Sequence, residues 1–312
     1  MTLPRHARRL AVEFLRAPGR TIPVPGWFPL VVEPAHATLA DGDGPVRTRV
    51  NGALMDLDLG EYVQRRIYYR CHEVPEARFV RRLLRPGDRV LDVGANVGFF
   101  TLLAAAAVGH RGHVSALEPV PANADVLEHN VRLNGFRSVD VTRAAAGDHV
   151  GEIRLGLDHP DLREGGVSGH YTEDGGRDAL TVPVVTLDEH LRDRPGLRLA
   201  KIDVEGAEPR VLAGMGETLA DNPPTALLLE INPSALERQG FGIDDLVAPL
   251  LRAGYELRTI TATGRLGAPA NLRPARARAV ARPVGGSAPD LIWRGLRGLD
   301  RLESIAAVRA GV

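Results

Sequence analysis

From residue 89 to residue 260, short apolar runs alternate with segments whose apolar residues have helical spacing. Strands are predicted at residues 89–93, 113–117, 139–143, 197–202, 226–231 and 255–260. Helical segments follow the first, second, fourth and fifth of these runs. This order is typical of right-handed strand–helix–strand units around a mostly parallel sheet. Continuous apolar runs such as 226–229 indicate strands that are covered on both faces. The chain is therefore predicted to form a Rossmann-like α/β core.

Two further regions flank or interrupt this pattern. Residues 1–60 are predicted to be an N-terminal extension, in which Asn51-Gly52 between two alternating stretches indicates a β-hairpin. Residues 61–85 have a helical pattern that ends at Arg85-Pro86-Gly87. The main domain is predicted to span residues 61–312, with a variable loop at 156–180 that is rich in Gly, Asp and His.

Composition excludes several classes of protein. Apolar residues make up 44% and charged residues 25% of the 312, as in ordinary globular proteins. The 39 basic residues equal the 39 acidic ones, which disfavours a nucleic-acid partner. The longest apolar stretch, residues 99–109, is too short to span a membrane. One cysteine and no recognisable export signal predict a cytoplasmic protein without disulfides.

A glycine-containing loop follows the first predicted strand, in the segment Asp92-Val-Gly94-Ala-Asn96-Val-Gly98. Glycines there allow a tight turn and a close approach of the helix start to a ligand. The loop departs from the dinucleotide-binding fingerprint, because Asn96 occupies the position of the second glycine. That departure argues against a pyrophosphate at this point, and hence against NAD or FAD.

Glu118 ends the next strand, 26 positions after Asp92. In strand–helix–strand units, an acidic side chain at this place accepts hydrogen bonds from ribose hydroxyls. Alone, Glu118 is better explained as a solvated strand end, but the glycine loop beside it favours the ribose-binding interpretation. Pro119 and Pro121 then begin a predicted helix.

The motifs together resemble the FkbM family of S-adenosylmethionine-dependent methyltransferases. The resemblance rests on Asp92-Val-Gly-Ala-Asn-Val-Gly-Phe99-Phe-Thr101, Glu118-Pro119, Asn130 to Gly135, Lys201-Ile-Asp-Val-Glu-Gly-Ala-Glu208 and Leu229-Glu-Ile231, and covers residues 60–260. It implies a class I methyltransferase fold, with a seven-stranded, mostly parallel sheet whose last strand is antiparallel. Residues 290–294 are the candidate for that strand.

The same resemblance implies the cofactor S-adenosyl-L-methionine and the residues that bind it. Its methionine part is expected at Asp92, Gly94, Asn96 and Gly98. Phe99, Thr101 and Asp203 are further expected cofactor-binding residues. Its ribose is expected at Glu118 and Pro119, and its adenine near Ala145.

Lys201 is the only lysine of the chain, the other 38 basic residues being arginine. It lies in a predicted strand, on the same face as Asp203, and Glu205 follows. Burial can lower the pKa of a lysine far enough to make it a proton acceptor, which arginine cannot become. We therefore predict catalytic roles for Lys201, Asp203 and Glu205, although a structural ion pair remains an alternative.

Glu230 and Asn232 end the following strand and share one face, beside Asp203. Glu230 is predicted to be catalytic through orienting the substrate. Magnesium bound by these oxygens is a weaker alternative, which the family resemblance does not require. His170, in the variable loop, is a further candidate for acid–base work.

The predicted activity is O-methylation of a hydroxyl on a small-molecule natural product or sugar, by in-line displacement at the methyl group. Two alternatives stay open: a cofactor-binding protein without catalysis, and a nucleic-acid methyltransferase that uses the arginines between 265 and 282. An aromatic content of 4% disfavours the latter, because few rings are available to stack on bases. Neither the membrane nor nucleic acid is an expected partner, and the sequence does not indicate the oligomeric state.

Overall fold

The computed structural model describes residues 5–18, 26–39, 44–156, 170–171, 179–270 and 302–309. The N-terminal part contains helix α1 (Arg5–Arg16), a π-helical turn (Phe28–Val32), helix α2 (Glu33–Leu39) and strands β1 (Val46–Val50) and β2 (Ala53–Leu57). The predicted hairpin is confirmed, because β1 and β2 pair antiparallel across Asn51-Gly52. Both turn residues have positive φ, which asparagine and glycine tolerate best. The domain boundary at residue 60 stays a prediction.

The remaining elements alternate as the sequence pattern predicts. The helices are α3 (Tyr62–Tyr68), α4 (Val74–Leu83), α5 (Phe99–Val108), α6 (Pro121–Leu133), α7 (Leu187–Leu191), α8 (Glu208–Ala213), α9 (Gly216–Asp221), α10 (Pro233–Arg238) and α11 (Ile243–Arg252). The strands are β3 (Arg89–Val93), β4 (His113–Leu117), β5 (Val139–Thr142), β6 (Ala145–Ala146), β7 (Gly151–Gly156), β8 (His170–Tyr171), β9 (Leu180–Val185), β10 (Leu199–Ile202), β11 (Ala226–Ile231), β12 (Tyr255–Ile260), β13 (Leu266–Pro269) and β14 (Leu302–Arg309).

The main sheet has the strand order β13-β12-β14-β11-β10-β3-β4-β5. The five strands from β11 to β5 are mutually parallel, and β14 lies antiparallel between β11 and β12. The order reverses at β3 and β10, where the chain continues to opposite sides of the sheet. Ligand crevices in open α/β sheets form at such a reversal, beyond the carboxyl ends of the strands.

Alternate residues of the central strands face two separate apolar layers. Val90 and Leu199 pack with α4, α5 and the hairpin, whereas Leu91 and Ala200 pack with helices α7 to α11. This arrangement explains the apolar runs in the sequence, because both faces of the strands are covered. Burial on both faces fixes the register and therefore the side chains at the strand ends.

Four details differ from the sequence-based expectation. Among the described residues, the main sheet contains eight strands rather than seven, because β13 adds a strand at the edge. The antiparallel strand is Leu302–Arg309, and the predicted segment 290–294 lies outside the described residues. Residues 61–85 form two helices rather than one, because Tyr69 to Glu73 interrupt the pattern.

The fourth difference concerns the predicted loop at 156–180. Its described residues include β8, which pairs with β7 in a second sheet of order β6-β9-β7-β8. The segments 157–169 and 172–178 lie outside the described residues. Within the described residues, no helix is both long and apolar enough to cross a membrane.

Candidate functional site

A cleft opens at the carboxyl edge of the main sheet. Its floor and walls come from the loops after β3, β4 and β10, from the end of β11, from the second sheet, and from α3 and the start of α4. Ten residues predicted to be functional line it: Gly94, Asn96, Phe99, Glu118, Pro119, Ala145, Lys201, Asp203, Glu205 and Glu230. The fold therefore brings together residues that are up to 136 positions apart in the sequence.

The glycines of the loop after β3 are required by packing within the protein. Gly94 has φ +75°, and a Cβ there would lie 1.9 Å from the carbonyl oxygen of Asp203. Gly98 has φ +94°, and a Cβ there would lie 2.6 Å from Cδ1 of Leu127. Gly98 is not among the residues that line the cleft, and the side chain of Leu127 lies where its Cβ would be. Its role at the cofactor stays a prediction.

Glu118 fixes the shape of the loop from below. The backbone N–H of Asn96 donates to Oε2 of Glu118 at 2.7 Å, and that of Val120 donates to Oε1 at 2.9 Å. The Asn123 amide makes a longer contact of 3.5 Å with Oε1. Burial raises the pKa of Glu118, while these hydrogen bonds oppose the shift. A carboxylate has about four acceptor positions, so Glu118 retains capacity for a ligand hydroxyl.

Asp92 and Thr101 lie behind the cleft wall rather than on it. Asp92 is 1% exposed and accepts a hydrogen bond from Oγ1 of Thr101 at 2.6 Å. Its Oδ1 has no hydrogen-bond partner among the described residues and lies 3.9 Å from Nζ of Lys201. The predicted direct cofactor contact of Asp92 and Thr101 therefore does not fit their position, and both instead support Lys201.

Lys201 is an ammonium ion held by two carboxylates. Its Nζ donates to Oδ2 of Asp203 at 2.9 Å and lies 5.1 Å from the ring centre of Phe100. Burial lowers the pKa of Lys201, but Asp203, Asp92 and Glu73 outweigh burial and raise it above its ordinary value. The predicted role of Lys201 as a proton acceptor is therefore wrong, because an ammonium group has no free electron pair.

Asp203 and Glu230 form a carboxyl pair beside Lys201. Burial opposes ionisation of Asp203, yet Lys201 and a hydrogen bond from Glu230 lower its pKa. The negative charge of Asp203, then burial and Glu205, raise the pKa of Glu230 well above its ordinary value. Two carboxylates cannot hydrogen-bond to each other without a proton, so Glu230 carries it and donates to Asp203.

The opposite end of the cleft is apolar. Pro119, Ala145, Ile153, Leu155 and Val184 line it. At its rim, Asp148 accepts from Arg210 at 3.3 Å and from His149 at 2.8 Å. This end presents a surface suited to a flat aromatic group, whereas the Lys201 end presents charge.

Sequence reasoning missed several lining residues, among them His72 and Glu73, which precede α4. Nε2 of His72 lies 3.4 Å from Oε1 of Glu73, and the His72 ring packs edge-on against Phe99 at 4.9 Å. Glu73 has φ +38°, a conformation uncommon outside glycine. The sequence around them predicts only the start of a helix, so no pattern indicated that His72 and Glu73 line the cleft.

Other candidates lie elsewhere. Asn232 caps α10, its Oδ1 accepting from the N–H of Ala235 at 3.2 Å. The backbone of His170 lies in β8, and its catalytic role stays a prediction. In the part of the chain that the structure describes, no three His, Cys, Asp or Glu side chains are arranged to hold a metal ion.

Comparison with known proteins identifies the family. The profile of the "Methyltransferase FkbM domain" matches residues 92–257, which is just over half of the 312 residues. The chain belongs to the FkbM methyltransferase family. The resemblance drawn from the motifs is thereby confirmed, and the cofactor of this domain is S-adenosyl-L-methionine.

Three individual proteins show how far the similarity to this FkbM-family chain extends. The 31-O-demethyl-FK506 methyltransferase FkbM of Streptomyces tacrolimicus is 37% identical over 166 residues, covering 42% of this chain and 61% of that protein. Methyltransferase 1 of Beauveria bassiana is 26% identical over 214 residues, covering 59% and 81%. Aeropyrum pernix fibrillarin, solved with S-adenosyl-L-methionine bound, has 14% identity and a TM-score of 0.37, covering 72% and 68%. The chain thus spans less than two thirds of the FK506 methyltransferase.

The side chains of the cleft fit this cofactor chemically. Glu118 supplies a buried carboxylate with acceptor capacity for the ribose hydroxyls. The apolar end is suited to adenine, and the acidic end around Asp203 suits the positive charges of the sulfonium and the amino group. The predicted binding roles of Glu118, Pro119 and Ala145 agree with this placement and stay proposals for each residue.

Proposed function

We propose that this protein transfers a methyl group from S-adenosyl-L-methionine to a hydroxyl oxygen of a small-molecule natural product or sugar. The observation that carries the proposal is the cleft itself. It combines the carboxylate of Glu118, an apolar end beside Ala145 and a charged end around Asp203 within an FkbM domain. The name of the Streptomyces relative supports an oxygen acceptor on a natural product.

When bound, the cofactor supplies a methyl group attached to a positively charged sulfur, which is electrophilic without further activation. The protein must then bind and orient the cofactor and the acceptor, and exclude water from the cleft. Lys201 fixes Asp203, which is itself bonded to Glu230, so the charged end of the cleft is rigid before any ligand enters. Alignment of an acceptor in such a site is worth on the order of 7 to 11 kcal/mol of the barrier.

The acceptor end also limits substrate chemistry. Glu73, Asp203, Glu205 and Glu230 line it, with Lys201 already paired to Asp203. Carboxyl groups exchange hydrogen bonds with hydroxyls whether they are ionised or protonated. We therefore expect polyhydroxylated acceptors.

The test is incubation with methyl-labelled cofactor and a panel of macrolide alcohols and sugars, followed by mass spectrometry. Label is expected on an acceptor oxygen. Glu118→Gln is the matched variant: it keeps the size of the side chain but places an NH₂ group towards a backbone N–H. We expect it to weaken binding of S-adenosylhomocysteine by about 10-fold or more, since a lost charge-assisted hydrogen bond is worth roughly 1.5–3 kcal/mol.

Two results would contradict the proposal. Calorimetric binding of the cofactor without methylation of any acceptor in the panel favours a binding protein without catalysis. Labelling of bulk RNA, together with binding that weakens steeply with salt, favours the nucleic-acid alternative. The arginines on which that alternative relies, apart from Arg265, lie outside the described residues.

A further inference from the structure

Glu73 occupies an unusual position at the start of α4. It is the N-cap residue of that helix, with φ +38° and ψ +51°, but its side chain makes no capping hydrogen bond. Its carbonyl accepts from the N–H of Ala77 at 2.9 Å, so only the backbone serves the helix. The carboxyl group instead lines the cleft and is 29% exposed. Backbone strain of this kind concentrates at functional sites.

Four other carboxyl groups along the cleft are committed to partners within the protein. Glu118 accepts two backbone N–H groups, Asp148 accepts from His149 and Arg210, and Asp203 accepts from Lys201. Glu230 has its proton engaged with Asp203. Among the described ion pairs, Glu73 has one partner within 4 Å, His72, which is charged only when protonated. The carboxyl group of Glu73 lines the cleft and is partly exposed, so it can exchange a proton with a ligand.

The titratable and charged groups around Glu73 come from several elements. Those that face it are His72 and Arg66 from the α3–α4 region, Glu76 on α4, Lys201 on β10, Asp203 after β10 and Glu230 on β11. Burial and then Asp203 raise the pKa of Glu73 to about 8, against the opposing effect of Lys201. A carboxyl group whose pKa lies near the working pH is well matched to general-base catalysis.

We propose that Glu73 is a catalytic residue that accepts the hydroxyl proton of the methyl acceptor, with His72 as its positioning residue. This inference rests on the proposed function and names a residue outside the matched segment 92–257. In the transfer, the acceptor oxygen forms a bond to the methyl carbon while the carbon–sulfur bond breaks. The bonding electron pair stays on sulfur, and the hydroxyl proton passes to a carboxylate oxygen of Glu73.

Glu73 must be ionised before it can accept that proton. A cation bound in the same cleft favours the charged form of a nearby carboxyl group and lowers its pKa. Binding of the positively charged cofactor is thus expected to release a proton from Glu73. The carboxylate of Glu73 then accepts the hydroxyl proton of the methyl acceptor during the transfer, so that Glu73 is protonated again.

The first experiment needs no acceptor. S-adenosyl-L-methionine is titrated calorimetrically into the wild type, Glu73→Gln and Glu76→Gln at pH 7, in phosphate and in Tris, whose ionisation heats differ. We expect proton release from the wild type and from the Glu76→Gln control, and its loss in Glu73→Gln with affinity within a few-fold. Equal release from all three proteins overturns the inference. A wild type that does not bind the cofactor contradicts the proposed function instead.

The second experiment uses the acceptor identified by mass spectrometry. Glu73→Gln is expected to lower kcat by about 100-fold to 10,000-fold and to remove the rise of kcat with pH, whereas Glu73→Asp restores part of both. His72→Gln is expected to lower kcat less and to shift the pH profile. A Glu73→Gln enzyme with an unchanged pH profile, or with kcat within a few-fold of the wild type, overturns the inference. Absence of any methylated acceptor would count against the proposed function and leaves the calorimetric result to decide on Glu73.

Discussion

Replacing Gly94 with alanine tests whether this glycine serves packing against Asp203. Its φ of +75° costs an alanine about 1–2 kcal/mol. In addition, the new Cβ would lie 1.9 Å from the carbonyl oxygen of Asp203, a backbone atom that cannot turn away. Moving backbone in a packed site adds about 1–3 kcal/mol. We therefore expect the free energy of unfolding to fall by about 2–5 kcal/mol.

Gly87 provides the matched control. Its φ is +94°, but no heavy atom lies within 4 Å of a Cβ built there. Gly87→Ala should therefore show the conformational cost alone, about 1–2 kcal/mol. Urea denaturation of both variants measures the difference, and titration with S-adenosylhomocysteine should show weaker binding only in Gly94→Ala. Equal destabilisation of the two variants would refute the packing explanation.

Two other perturbations address the charged groups. Lys201→Met leaves the buried Asp92 and Asp203 without their cation. We therefore expect the free energy of unfolding in urea to fall by about 3–5 kcal/mol, and the added substitution Asp92→Asn to restore part of it. A Lys201→Met variant as stable as the wild type would contradict this. Glu208 is 2% exposed, and burial raises its pKa to about 7. The native state therefore holds a proton that the unfolded state loses between pH 4.5 and 7, so stability is highest below this window and falls as pH rises through it. Relative to Glu208→Gln, the wild type should lose roughly 3 kcal/mol across this window, and parallel pH profiles would exclude the effect.

The order of strands and the position of the cleft could be predicted because they depend on local patterns. Apolar runs such as Ala226–Ile231 indicate strands buried on both faces, and the glycine loop and Glu118 follow directly from strand ends. The rule that parallel strands present their carboxyl ends at one edge then places Asp203 and Glu230 together. These inferences need no knowledge of distant contacts.

The protonation of the site could not be predicted in the same way. The protonation state of Lys201 depends on Asp92, which lies on the neighbouring strand, and on Glu73. Glu73 lies between α3 and α4, 128 positions earlier in the sequence. Sequence shows that Lys201 is buried, but the sign of its pKa shift depends on how many carboxylates surround it. The packing of Leu127 beside Gly98 could not be predicted for a similar reason, because Leu127 lies on another helix.

The position of β14 has a consequence for synthesis of the chain. This strand separates β11 from β12, although it follows Ala270 by 32 positions in the sequence. After β12 has left the ribosome, the main sheet still lacks the strand between β11 and β12. The facing edges of these two strands keep their backbone groups unpaired until residues 302–309 emerge. Unpaired edges of this kind attract other strands. The nascent chain is thus most exposed to mispairing in the interval between the emergence of β12 and the pairing of β14 with both edges.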